Sequence, residues 1–72
     1  MTRVATSLIG TVVAFDDHAG IGAIEVARGQ RYSFHCTQIA DGSRTIAQGA
    51  SVRFTVVAGH LGAWEAAGVE QL

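Results

Sequence analysis

Seventy-two residues make one domain, near the lower size limit for folding on an apolar core alone, and 49% hydrophobic against 15% charged residues excludes a disordered chain. The formal charge is −1 and all five basic residues are arginines, so the broad basic patch of most nucleic-acid binders is missing. The lone Cys36 excludes an internal disulfide, and residues 1–10 hold no sustained apolar run, so a cytoplasmic protein without signal peptide or membrane span is expected.

In chain order, residues 7–15 are rich in β-formers, but the adjacent Val12 and Val13 blur the inner and outer faces of this first strand. Asp16-Asp17-His18-Ala19-Gly20 reads as a turn. A second strand spans residues 21–26, with Gly22, Ile24 and Val26 on one side and Ile21, Ala23 and Glu25 on the other. Arg28-Gly29-Gln30 is a tight hairpin turn. The third strand covers residues 31–36, where Tyr32 and Phe34 alternate with Arg31, Ser33 and His35.

A longer connection follows from Thr37 to Ala50. Within it, Thr45 and Gln48 have the spacing of a capping box and Gly49 is a natural stop, so residues 45–49 predict one helical turn. Residues 51–58 form the cleanest strand: Val52, Phe54 and Val56 share one face, and Ser51, Arg53 and Thr55 the other. Ala58-Gly59-His60-Leu61-Gly62 reads as a turn. The last strand, residues 64–71, is the weakest, because Glu65-Ala66-Ala67 alone suits a helix. Nine glycines, no proline and five short strands suit an all-β fold, a small barrel of the OB type whose closure removes exposed edges.

Several segments resemble a known family. Gly10-Thr11-Val12-Val13-Ala14-Phe15-Asp16, then Gly20-Ile21-Gly22-Ala23-Ile24, is similar to the opening of bacterial cold-shock proteins, G-T-V-K-W-F-N followed by K-G-F-G-F-I. Tyr32-Ser33-Phe34-His35-Cys36 resembles the second ribonucleoprotein motif, V-F-V-H-F. Asp41-Gly42-Ser43-Arg44-Thr45-Ile46 resembles D-G-F-K-T-L, and Gly49-Ala50-Ser51-Val52-Arg53-Phe54 resembles G-Q-x-V-x-F. Glu65-Ala66-Ala67-Gly68-Val69 is similar to the closing E-A-A-D-V, with about one extra residue before it. The resemblance runs collinearly from about Leu8 to Leu72. It implies a short tail over residues 1–7 and, over 8–72, a five-stranded OB-fold-like antiparallel β-barrel that binds single-stranded RNA or DNA.

The departures fall on the binding face that the family implies. Its tryptophan is Ala14, the two phenylalanines of its first motif are Ile21 and Ala23, and those of the second are Ser33 and Cys36. Its loop phenylalanine is Ser43, and two basic positions are Val13 and Ala19; Phe15 and His35 remain. A stacked base is worth about 1–3 kcal/mol. Losing three or four such contacts therefore weakens binding by more than roughly a hundredfold, since about 1.4 kcal/mol is tenfold. The core positions, from Val12 and Ile24 to Val56 and Val69, stay apolar. The barrel is kept while its face is changed.

Candidate nucleic-acid contacts are Phe15, His35 and Arg44, with Ile21 and Ser33 at former aromatic positions; Phe15 equally suits closing the barrel, and Arg44 a solvated surface. His18, His35, His60, Cys36 and Asp16 offer no metal-ligand spacing, and His35 and Cys36, neighbours on a strand, are expected to face opposite ways. Neither a cofactor nor an enzymatic nucleophile is expected. Trp64 lies beside the apparent insertion, either filling the barrel rim or serving as a displaced platform or protein anchor. Two functions result: weak, non-sequence-specific binding of single-stranded RNA or DNA, or an interaction module that grips a protein or a second copy of itself.

Overall fold

Alternating apolar and polar residues build five strands, β1 (Ser7–Asp16), β2 (Ile21–Val26), β3 (Arg31–His35), β4 (Ser51–Ala58) and β5 (Trp64–Gln71). The computed structural model describes residues 7–59 and 63–72. Most of the expected tail, and residues 60–62 of the turn at 58–62, lie outside them. The strands close in the order β1-β2-β3-β5-β4, an all-β, five-stranded barrel of the OB type. Neighbours are antiparallel except β3 and β5, which run parallel and meet at one pair, Ser33 with Glu65. A second bridge beyond the strands joins Ile39 to Val69.

Two bulges explain the faces that alternation alone left blurred. Val12 pairs with Ile24 and Ala14 with Ala23, so Val13 is an extra residue. The shift turns inward-facing positions from even to odd numbers, from Val12, fully buried, to Phe15, packed against the core. On β5, Ala67 pairs with Thr55 but Glu70 with Arg53, and Gly68 takes φ +60° at the irregularity. That extra residue lets both Ala66 and Val69 face inward, and the Thr55 hydroxyl donates to the Ala67 carbonyl at 3.2 Å beside it. Glu65-Ala66-Ala67 is thus strand, its helical propensity overridden by pairing with β4.

The core comprises Val12, Ile24, Phe34, Ile39, Ile46, Val52, Phe54, Val56, Ala66 and Val69. Phe15 stacks on Phe34 with centroids 5.9 Å apart. The stack needs the bare Gly22 between them, where a Cβ would lie 2.6 Å from Phe34 and 2.8 Å from Phe15. No polar side chain is buried among the described residues.

The long connection corrects one expectation. Its helical turn is a 3₁₀ turn at Cys36–Gln38, not a turn at 45–49. At the later site only an isolated turn closes, from Ala50 N–H to the Ala47 carbonyl at 3.1 Å, and the next groups bond to β1. Gly49 takes φ +95° and its N–H donates to the Val12 carbonyl at 2.7 Å, while the Ala50 carbonyl accepts from Val12 N–H at 2.9 Å. The segment is laid along β1, and Ile46 drops into the core. Near its start, Ala40 N–H donates to the Val69 carbonyl at 2.7 Å, pinning the connection to β5.

Candidate nucleic-acid interface

The register sorts the outer face of β1–β3 into rows. Asp16 pairs with Ile21 and Ile21 with His35. In the next row Ala14 pairs with Ala23, Ala23 with Ser33, Ser33 with Glu65 across the parallel seam, and Glu65 with Val57. Side chains directly opposite one another on one face lie in contact range. The second row is therefore a run of small side chains, Ala14, Ala23 and Ser33, that continues through Glu65 to Val57.

Where the two rows meet the seam, a cleft of about 150 Å³ opens, lined by Ile21, Ser33, Phe34, His35 and Glu65. Its origin is the sparse pairing of β3 with β5: between the Ser33–Glu65 pair and the Ile39–Val69 bridge, no strand pair closes the gap. Ile21, Ser33 and His35 are exposed, so the cleft is open to solvent.

His35 is held by its own chain. Its Nδ1 accepts from the Thr37 N–H at 3.3 Å and lies 3.0 Å from the Thr37 hydroxyl, capping the 3₁₀ turn. An Nδ1 that accepts carries no proton, so in the neutral ring the hydrogen is on Nε2. The outer nitrogen is thereby a donor.

A family model described as the 'Cold-shock' DNA-binding domain matches residues 8–72. The chain belongs to the cold-shock domain family. No curated protein matches it significantly. The family is described by nucleic-acid binding rather than by a reaction.

Within this cold-shock domain the expected contacts separate into three groups. Ile21, Ser33 and His35 converge on the cleft. Arg44 lies on the long connection and lines a second cleft of about 220 Å³ with Cys36, Thr37, Ile39, Gly42 and Ser43, next along the chain from His35. Phe15, half-buried, is turned inward by the bulge at Val13 and stacks on Phe34 beneath the sheet.

Cys36 also departs from expectation. Because β3 ends at His35 and the chain turns into the 3₁₀ segment, the two side chains do not oppose each other, and Cys36 Sγ stands 3.9 Å from His35 Nδ1. Among the described residues no three His, Cys, Asp or Glu side chains gather into a metal-sized group.

The electrostatics of the site are mixed. Arg31 is paired with Glu25 at 3.1 Å and Arg53 with Glu70 at 3.6 Å, both in solvent, where such pairs contribute little to stability. Arg44 has no ion pair among the described residues. In its loop, Ser43 N–H donates to Asp41 Oδ1 at 2.8 Å, and this bond, with help from the Ser43 hydroxyl, holds the Asp41 carboxyl below its ordinary value.

Glu65 is not marked as a cleft residue by the sequence. It heads the Glu65-Ala66-Ala67 motif, but what places it beside Ser33 is a parallel pairing across 32 positions of chain, which no local pattern encodes. Trp64, next to it, pairs with Ala58 and remains 55% exposed, so the rim does not bury it.

Proposed function

We propose that this cold-shock domain is a binding module, not an enzyme, that holds single-stranded RNA or DNA weakly and largely independently of sequence. The observation that carries this is the convergence of Ile21, Ser33 and His35 on one open cleft of a family barrel, with Arg44 on the adjoining loop. His35 offers a ring face and an outward donor, Ile21 an apolar wall, and Arg44 a charge for a phosphate. Weakness follows from the strip beside the cleft, where Ala14, Ala23 and Ser33 provide no aromatic surface. Dissociation constants of about 10⁻⁴ M, within the range of non-specific binding, are expected. A cytoplasmic setting accompanies this function, consistent with the free thiol of Cys36.

The test is an NMR titration with short mixed-sequence single strands at low and moderate salt. Salt-sensitive shifts at Ile21, Ser33, His35 and Arg44 are expected. Silence at millimolar oligonucleotide overturns the proposal.

A second function, a face that grips a protein or another copy of the chain, is supported by Ile21, 50% exposed beside the small residues of the strip. It predicts silence with oligonucleotides and a partner or self-association that is lost with Ile21→Arg.

A further inference from the structure

We infer that mild acid tightens this interface: His35 becomes its second cation, and the Thr37 hydroxyl keeps the ring in place in either charge state. The inference rests on the proposed nucleic-acid function and adds a regulation of the same site, with Thr37 as a positioning residue.

Three groups crowd the His35 Nδ1. The Thr37 N–H donates to it at 3.3 Å, the Thr37 hydroxyl lies 3.0 Å away and Cys36 Sγ 3.9 Å away. In the neutral ring this atom accepts through a single lone pair, and protonation turns the same atom into a donor. The two Thr37 groups answer that change differently. A backbone N–H only donates, so it serves the neutral ring and opposes the charged one. A hydroxyl donates or accepts, so it turns its proton towards a neutral Nδ1 and a lone pair towards a protonated one. At 3.0 Å the contact has hydrogen-bonding length in either direction. The ring therefore stays at the cap of the 3₁₀ turn, opposite Ile21, when its charge changes.

A charge gained there has no internal partner. Asp16, two strands away in the same row, accepts from the His18 and Ala19 N–H groups of its own turn. Asp41 accepts from the Ser43 N–H. Glu65 lines the cleft from β5 with its carboxyl against Gly59. None of these carboxylates forms an ion pair with His35 among the described residues. Arg44 lines the neighbouring cleft together with Cys36 and Thr37, the two residues that follow His35. Two unpaired cations on adjoining clefts, joined by the turn at 36–38, suit the phosphates of one strand. Imidazole is the side chain that changes charge between about pH 5 and 8, so the second cation comes and goes in that range.

The experiment titrates the full chain with d(TTTTT) in low salt at about pH 7.5 and about pH 5.5, beside its His35→Gln and Thr37→Val variants. Native affinity should rise about threefold at the lower pH, the scale of one added charge contact in solvent. His18 and His60 change charge over the same range. In His35→Gln only those two remain, and the rise should fall to about 1.5-fold or less. Thr37→Val keeps the backbone N–H and the branched shape but not the hydroxyl. Its His35 ring should show nuclear Overhauser contacts to the Ile21 methyls at the higher pH and lose them at the lower, whereas the native ring keeps them at both. Its affinity should not rise. A rise that survives either substitution, or a native ring that leaves Ile21 at the lower pH, overturns the inference. Native binding that ignores pH sinks it while leaving the proposed function standing. Silence of d(TTTTT) at millimolar concentration at both pH values removes the two together.

Discussion

The inner and outer faces of β1–β3 are built from alternate residues of the same strands, yet they differ in kind. Inside, Val12, Ile24 and Phe34 are buried and Phe15 stacks over Gly22. Outside, one residue away along the backbone, stand Ala14, Ala23 and Ser33. The pleat sends neighbouring side chains to opposite environments, so a packed apolar face and a face of small exposed side chains stand on the same strands.

The sharpest way to break this contrast is from within. Phe34→Ala removes a side chain only 2% exposed and the partner of Phe15, and should cost about 3–5 kcal/mol of stability, measured by denaturant unfolding. A loss below about 1 kcal/mol would mean that the two faces do not differ as described. On the outer face, Ser33→Phe returns an aromatic ring to an exposed position next to the cleft. It should tighten binding of short single strands by about 1–3 kcal/mol while leaving the unfolding midpoint nearly unchanged. Unchanged affinity in that variant would show that the barrel rather than its ring surfaces governs grip.

The smallest effect lies in the Arg44 loop. The Asp41 carboxyl is held below its ordinary value by Ser43, so its contribution is complete above the unfolded-state value near ~3.9 and fades as pH falls through the lower folded value. Acidification below about pH 4 should therefore move the Ser43 amide resonance and leave the core amides in place. An amide that ignores pH there would mean the turn does not depend on that bond.

How legible the molecule is in its sequence depends on the range of each interaction. Strand positions and inward faces of β2, β3 and β4 follow from alternation, which is local. The adjacent Val12 and Val13 signalled trouble on β1 without resolving it. The resolution, a bulge, exists only once β2 is paired alongside. Likewise Ile39 and Ile46 carry no periodicity, and they become core residues because backbone bonds to Val69 and Val12 draw the long connection across the end of the barrel. Thr45 and Gln48 show the opposite error, a local helical signature overruled by those same bonds.

The candidate site divides in the same way. Ile21, Ser33 and His35 could be placed on one face by counting along β2 and β3, because a short hairpin fixes their register. Phe15 could not, since its facing depends on the bulge, and Glu65 could not, since it reaches the site through a parallel pairing between distant segments. The tight approach of Cys36 to His35 depends on where β3 stops, a boundary one residue earlier than alternation suggests.

The cleft coincides with the place where β3 and β5 share one strand pair. A ligand bridging β3 to β5 would span the least-bonded join in the sheet and add cross-links that the backbone does not make. Occupancy and thermal resistance are then thermodynamically linked: whatever fills the cleft raises the melting temperature in proportion to how tightly it is held. Folding thus becomes a reporter of the ligand, and a chemically diverse panel can be ranked by heat alone.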